Sequence, residues 1–244
     1  RMGVELTSHV HADGLATLYY QDFTFTHNRG TNLGRLDGYN GMLLSLSGLG
    51  KTILVSNNTV TDARFGGLEF VACQDVTASN NWFNSTGATT YSAYAISQAG
   101  SLRAQRIAIS GGGGYLKGRP FVLYGTDGFT VRGGNWKSEQ PTDIRATNGL
   151  FTGVRLQVTT GSEAGGGNAL QLHQCTQVTI THCILTLSSS TQTNYSVVDF
   201  GPARNNTQCR LTNNTLKRPP GALDAFVHTE SNHTLVVRGN IETN

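Results

Sequence analysis

Charge is scarce in this chain. Of 244 residues only 14% are charged, 18 Lys and Arg against 15 Asp and Glu, for a formal net charge of +3. Soluble domains usually carry about 25%. The lysines, Lys51, Lys117, Lys137 and Lys217, are scattered. No basic stripe forms, so nucleic acid is a poor partner. Proline numbers five and cysteine four. No apolar run reaches the ~18 residues of a membrane-spanning helix. A sustained i, i+3, i+4, i+7 apolar pattern is also missing, which argues against long amphipathic helices.

What is present is glycine, 30 residues in all, without the strict three-residue period of collagen. Short alternating runs rich in Val, Ile, Thr and Phe lie between Gly and Asn, the pattern of an all-β chain with many short strands. These runs repeat. Val76-Thr-Ala-Ser-Asn-Asn81, Ile53-Leu-Val-Ser-Asn-Asn58 and Leu211-Thr-Asn-Asn214 are copies of one segment. Aligned on the first Asn or its equivalent, the copies stand at His27, Asn57, Asn80, Gly111, Gly133, Gly153, His182, Asn213 and Gly239, at intervals of 20 to 31 residues.

The columns of this alignment agree. Two residues before the anchors stand Phe25, Val55, Ala78, Ile109, Val131, Phe151, Ile180, Leu211 and Val237. Four before, every residue is apolar except Gly149, and one before, every residue is polar. This is a strand with one buried and one solvated face, nine times over. Upstream of each anchor a second apolar-x-apolar pair occurs: Val4 and Leu6, Leu44 and Leu46, Leu68 and Phe70, Tyr94 and Ile96, Phe121 and Leu123, Ile144 and Ala146, Leu170 and Leu172, Val198 and Phe200, Ala225 and Val227. Asn28, Asn58, Asn81, Asn214 and Asn240 share the position after the anchor, where stacked amides can bond from one repeat to the next. A unit this short cannot bury its own apolar face, but stacked units can. The expected fold is therefore an all-β, right-handed parallel β-helix (solenoid) of about nine coils. Residues 1–244 are expected to form one domain, at ~4.8 Å per coil a rod of ~40 Å, and to be part of a longer chain or assembly.

The stretch Gly67-Leu-Glu-Phe-Val-Ala-Cys-Gln-Asp-Val-Thr-Ala-Ser-Asn-Asn-Trp-Phe83 resembles the parallel β-helix repeat of the pectin-lyase-like superfamily, and the resemblance extends over nearly the whole chain. That superfamily holds polysaccharide lyases, glycoside hydrolases, epimerases, phage tailspikes and adhesins. The Asn-Thr-Asp and His-Gly motifs of polygalacturonase-like hydrolases are absent from the sequence. The resemblance implies a polysaccharide partner. Three readings follow from it: a tailspike-like protein that binds and cleaves a bacterial surface polysaccharide, a uronate lyase or C5-epimerase, and a non-catalytic glycan-binding rod. A tailspike implies a homotrimer on a phage virion tail; a bacterial protein would be secreted or at the cell surface. No cofactor is expected, except Ca²⁺ for a lyase.

The candidate chemistry lies on the outside of the coils. The outward middle of the upstream strand reads Glu5, Ser45, Glu69, Ala95, Val122, Arg145, Gln171, Asp199 and Phe226. Glycoside hydrolysis needs two carboxylates, about 5 to 5.5 Å apart for retention and about 6.5 to 9.5 Å for inversion. The candidate catalytic pairs are Asp62 with Glu69, and Glu163 with Asp199; Glu139 and Asp143 fall in one loop near Arg145. Aromatic faces beside polar groups suit sugars, which makes Trp82, Tyr91, Tyr94 and Tyr195 candidate substrate-binding residues together with Arg145. Trp136 shares a column with Val60, Phe83, Leu156, Leu185 and Leu216 and is expected in the core. His9, His11 and Asp13 share a strand face with Glu5, but the spacing fixes no third ligand beside the two histidines, and no metal site is assigned. Cys73 and Cys175 occupy the same column four coils apart, ~19 Å, beyond the ~7 Å between Cα atoms that a disulfide tolerates. Four free thiols and folding in a reducing compartment are expected.

Overall fold

The computed structural model describes residues 4–7, 20–33, 41–48, 50–63, 66–85, 92–159, 167–188, 196–200, 206–220, 226–229 and 234–244. Within them the secondary structure is strand, with no helix. Three strands recur in each coil. The first run of strands starts with Val4–Thr7, Leu44–Ser47 and Gly66–Val71, and the second with Gln21–Thr26, Lys51–Ser56 and Gln74–Ser79. The third starts with Arg29–Thr31, Thr59–Thr61 and Trp82–Ser85 and has nine members. Each strand pairs in parallel with its counterpart in the next coil. The protein is a parallel β-helix, as the repeat predicts.

The anchors turn the chain between the second and third sheets. All nine have φ between 50° and 66°, the left-handed region that Gly and Asn enter at least cost. The following amides form the expected ladder. Asn28 Nδ2 donates to Asn58 Oδ1 at 3.0 Å, and Asn58 Nδ2 to Asn81 Oδ1 at 2.9 Å. At the other end Asn214 Nδ2 donates to Asn240 Oδ1 at 3.0 Å. A second left-handed column, five residues before the anchor, has no such residue signature: Asp22, Thr52, Asp75, Arg106, Asn148, Gln177 and Gln208 all have φ between 53° and 58°.

The core lies between the three sheets. Ile53, Val55, Val76, Ala78, Ile107, Ile109, Phe151 and Ile180 of the second sheet are buried, and so are Val60, Phe83, Trp136, Leu156, Leu185 and Leu216 of the third. Aromatic rings fill its middle coils. Tyr94 stacks on Phe121 with centroids 5.7 Å apart, and Trp136 packs edge-on to Phe121 at 4.9 Å. Gly149, the exception in the apolar column, also has a packing cause: a Cβ there would stand 1.9 Å from the Phe129 ring of the preceding coil. One ring occupies the volume of two side chains.

Coils five and six depart from the rest. There the strands of the first and second sheets run together as Arg119–Arg132 and Thr142–Thr152. Their registers shift by one residue between Tyr124 and Thr126, which leaves Gly125 as a bulge with φ of 63°.

Candidate functional site

The outer face of the first sheet gathers the polar chemistry. Its outward column follows the register Ser45, Glu69, Ala95, Val122, Asp143, Gln171, Asp199, His228. Two places in the sequence reading need correction. In coil six the central outward residue is Asp143, not Arg145, and Asp143 is in a strand, not a loop. In coil nine it is His228, not Phe226. Thr142 causes the first error: it takes a core position, 0% exposed, so the apolar pattern seems to begin two residues late. In coil nine the misleading signal is Ala225, which with Val227 makes an apolar-x-apolar pair in the sequence, whereas the register pairs Val198 with Val227 and Asp199 with His228.

Among the described residues, Asp143 stands at the centre of a group of two arginines and a histidine. It is only 2% exposed. Arg119 Nη1 donates to its Oδ2 at 3.1 Å, and the Tyr124 hydroxyl donates to the same oxygen. Arg145 Nη2 stands 3.7 Å from Oδ2, and His173 Nε2 stands 3.8 Å from Oδ1. Among the described residues Oδ1 has no hydrogen-bond partner. The Arg145 guanidinium lies 4.4 Å over the Tyr124 ring, a cation–π stack. Burial, together with the bond to Asp143 and its charge, pushes the Tyr124 hydroxyl up to about 12, against the opposing pull of Arg145 and Arg119.

Beside this cluster runs a groove of about 440 Å³ lined by residues that include Gln98, Arg103, Tyr124, Arg145, Thr147 and Gln174. Two guanidinium groups, amides and hydroxyls face it, over a floor made by the Tyr124–Arg145 stack. Such a surface offers donors and acceptors to a hydroxyl-rich ligand and a flat face to a ring.

Two coils further along, Asp199 Oδ1 pairs with His228 Nδ1 at 2.8 Å. Gln171 lies between Asp143 and Asp199 in the register. With its amide placed so that Nδ2 donates to Ser196, Asn168 accepts from Gln171 Nε2 at 3.1 Å.

The other sequence candidates are dispersed. Glu69 is in the first-sheet column and accepts a hydrogen bond from Ser45 Oγ. Asp62 follows the third-sheet strand of coil two in a left-handed conformation, its N–H bonded to Asn84 O at 2.8 Å. The two carboxylates thus sit on different sheets. Tyr94 was expected to meet substrate; instead it is a fully buried core residue whose hydroxyl accepts from Asn81 Nδ2. An apolar-x-apolar pair points inward at both ends, and Tyr94 is one of those ends. Trp82 is 53% exposed but lies on the third sheet, away from the Asp143 face. Arg145 does line the groove. Glu163, Tyr91, Tyr195 and the His9–His11–Asp13 group lie outside the described residues. The four cysteines are free and buried. Among the described residues no group of three His, Cys, Asp or Glu could hold a metal ion, and no helix is long and apolar enough to cross a membrane.

No family model and no curated protein sequence matches the chain. A solved structure does: PfbA, a surface adhesin of Streptococcus pneumoniae, at 10% identity and a TM-score of 0.63, with 90% of this chain and 63% of that one covered. The chain therefore spans less than two thirds of that protein's length, and the likeness is one of fold.

Proposed function

We propose that this protein is a glycan-binding β-helix whose ligand lies across the outer face of the first sheet, over the groove beside Tyr124 and Arg145. The observation that carries this reading is the cluster around Asp143. Folding a β-helix asks nothing of an outward strand position except solubility. A buried carboxylate that holds an arginine and a tyrosine, beside a second arginine stacked on that tyrosine, is a costly arrangement there. It makes sense as a pre-organised binding floor. The fold shared with a surface adhesin supports a place at a surface, and the absence of charge runs agrees with a polysaccharide better than with a nucleic acid. A tailspike-like assembly would be a homotrimer, which light scattering in solution decides.

A second reading adds cleavage. Asp143 and Asp199 occupy one outward column two coils apart, a rise of ~9.6 Å, at the upper end of the ~6.5 to 9.5 Å range of inverting glycosidases. The experiment that tests both readings is a panel of bacterial capsules, lipopolysaccharides, alginate and pectin, scored for binding by affinity electrophoresis, for reducing ends and for absorbance of unsaturated uronates. Binding lost in Arg145→Ala supports the groove. Reducing ends without that absorbance, lost in both Asp143→Asn and Asp199→Asn, establish hydrolysis. Both signals together establish a lyase. A panel with no binding at all refutes the proposal.

A further inference from the structure

We propose that the outer face of the third sheet is a second, separate saccharide-binding platform, built on Trp82 and directed at neutral chains with equatorially substituted pyranose rings.

The protein has two tryptophans and spends them differently. Trp136 is fully buried, whereas Trp82 shows 53% of its surface at a sheet exterior where its register partner on one side is Thr59. On the other side its partner is Gly113. That glycine is dictated by the backbone: a Cβ at Gly113 would stand 2.1 Å from the Asn135 carbonyl oxygen, and one at its neighbour Gly114, with φ of 135°, 1.7 Å from that of Phe83. Close stacking of coils three, four and five therefore leaves buried Gly113 without a side chain beside Trp82, and the exposed part of the indole is what a ring can meet.

The next outward row supplies the second aromatic. Asn84, Tyr115 and Lys137 are register partners in successive coils. Tyr115 is thus the diagonal neighbour of Trp82, about 7 to 8 Å away, a separation that aromatic side chains bridge. Its hydroxyl donates to Glu139 Oε1 at 2.6 Å, and Lys137 Nζ stands 5.8 Å from its ring centroid. The two opposite charges are thus both disposed about one tyrosine; the next charges along the outward column are Arg155, partner of Asn135, and Arg29, partner of Thr59. Exposed Asn84 and Asn135 border the patch, each with donors and acceptors for hydroxyl groups. The groove beside Arg145 holds two guanidinium groups and lies on the other sheets; the Trp82–Tyr115 pair is aromatic, with the charges of Lys137 and Glu139 balanced around it. An indole offers a flat apolar surface, which a pyranose matches with a face where C–H bonds, not hydroxyl groups, point at the ring; with all hydroxyl groups equatorial both faces qualify. Configurations of the glucose and N-acetylglucosamine type meet that condition.

Iodide quenching of tryptophan fluorescence tests this directly, because Trp136 is shielded and Trp82 is not. The probes are cellohexaose and chitohexaose, titrated into the wild-type protein and into Arg145→Ala. At least one hexaose is expected to protect Trp82 saturably, in both proteins alike. Calorimetry on Trp82→Ala, with circular dichroism to verify its fold, is expected to show binding weakened tenfold or more. Absence of saturable protection by either sugar overturns the proposal. So does protection lost in Arg145→Ala, or binding weakened less than tenfold in Trp82→Ala. None of these outcomes bears on the first-sheet groove.

Discussion

The Asn81 side chain donates to the Tyr94 hydroxyl at 3.0 Å. In coils one and two the corresponding amide donates to the asparagine of the next coil, but coil four has Gly112 at that position. The tyrosine oxygen replaces the missing amide oxygen. A core aromatic thereby terminates a polar ladder without leaving a buried donor unpaired.

Tyr94→Phe removes that acceptor and little else. A buried N–H left without a partner costs about 1 to 3 kcal/mol. Urea unfolding followed by circular dichroism should show the midpoint fall with the slope unchanged. An unchanged midpoint would mean that water or another carbonyl serves Asn81.

Gly149→Val restores the apolar pattern of its column and should nonetheless destabilise the protein. The Phe129 ring already fills the space, and overpacking a core costs typically about 1 to 3 kcal/mol. The double variant Gly149→Val with Phe129→Ala should recover part of the loss. Additive costs in the double-mutant cycle would show that the two positions do not share one volume.

The columns made the fold legible. Asn and Gly at the anchors have a physical reason to be there, and the turn, the ladder and the strand polarity all follow from it. The second left-handed column was not legible, because stacking imposes that conformation on residues as unlike as Thr52, Arg106 and Gln177. The site was legible only in part. Arg145, Asp199 and the outward row of the first sheet were visible, and Asp143 only as a loop carboxylate near Arg145. Thr142 in a core position displaced the apparent register by two residues, and the residue at the centre of the cluster read as part of a loop. Tyr94 misled for a related reason: an aromatic that can bind sugar has the same letter as one that ends a ladder.

Alkali should expose the strength of the Asp143 cluster. The Tyr124 hydroxyl is pushed up to about 12 from the ordinary 10. Between those values the unfolded chain releases a proton that the folded chain keeps, so this group's stabilising effect is complete below pH ~10 and fades as pH rises toward 12. Absorbance at 295 nm should show Tyr124 titrating later than an ordinary tyrosine. In Asp143→Asn its titration should move down, since the carboxylate's charge no longer opposes ionisation. An unmoved curve would assign the shift to burial alone.

The thiols should be silent until the chain opens. Burial pushes Cys73 and Cys183 up to about 11 and Cys175 up to about 12, and Cys209 also rises for the same cause. Thiolate is the reactive form. Ellman's reagent at pH 8 should therefore label almost nothing in the native protein and all four cysteines in guanidinium chloride. Prompt labelling of any one would mark a coil that opens locally.

Coils five and six pass from the first sheet to the second without a corner. In a stacked architecture corners are where loops leave, so an unbroken strand is a place from which nothing projects. The groove beside Tyr124 and Arg145 thus lies where two coils are continuous, a clearing between the turn at residues 98–103 of coil four and the turn at residues 173–175 of coil seven. Its floor is held by the backbone ladder between coils five and six, while Gln98, Arg103 and Gln174 of its rim stand in the turns of the neighbouring coils. Such a construction separates two kinds of change. Lengthening or rewriting a rim segment alters what can lie in the clearing and leaves the stacked coils untouched, so one scaffold can change its ligand without being refolded.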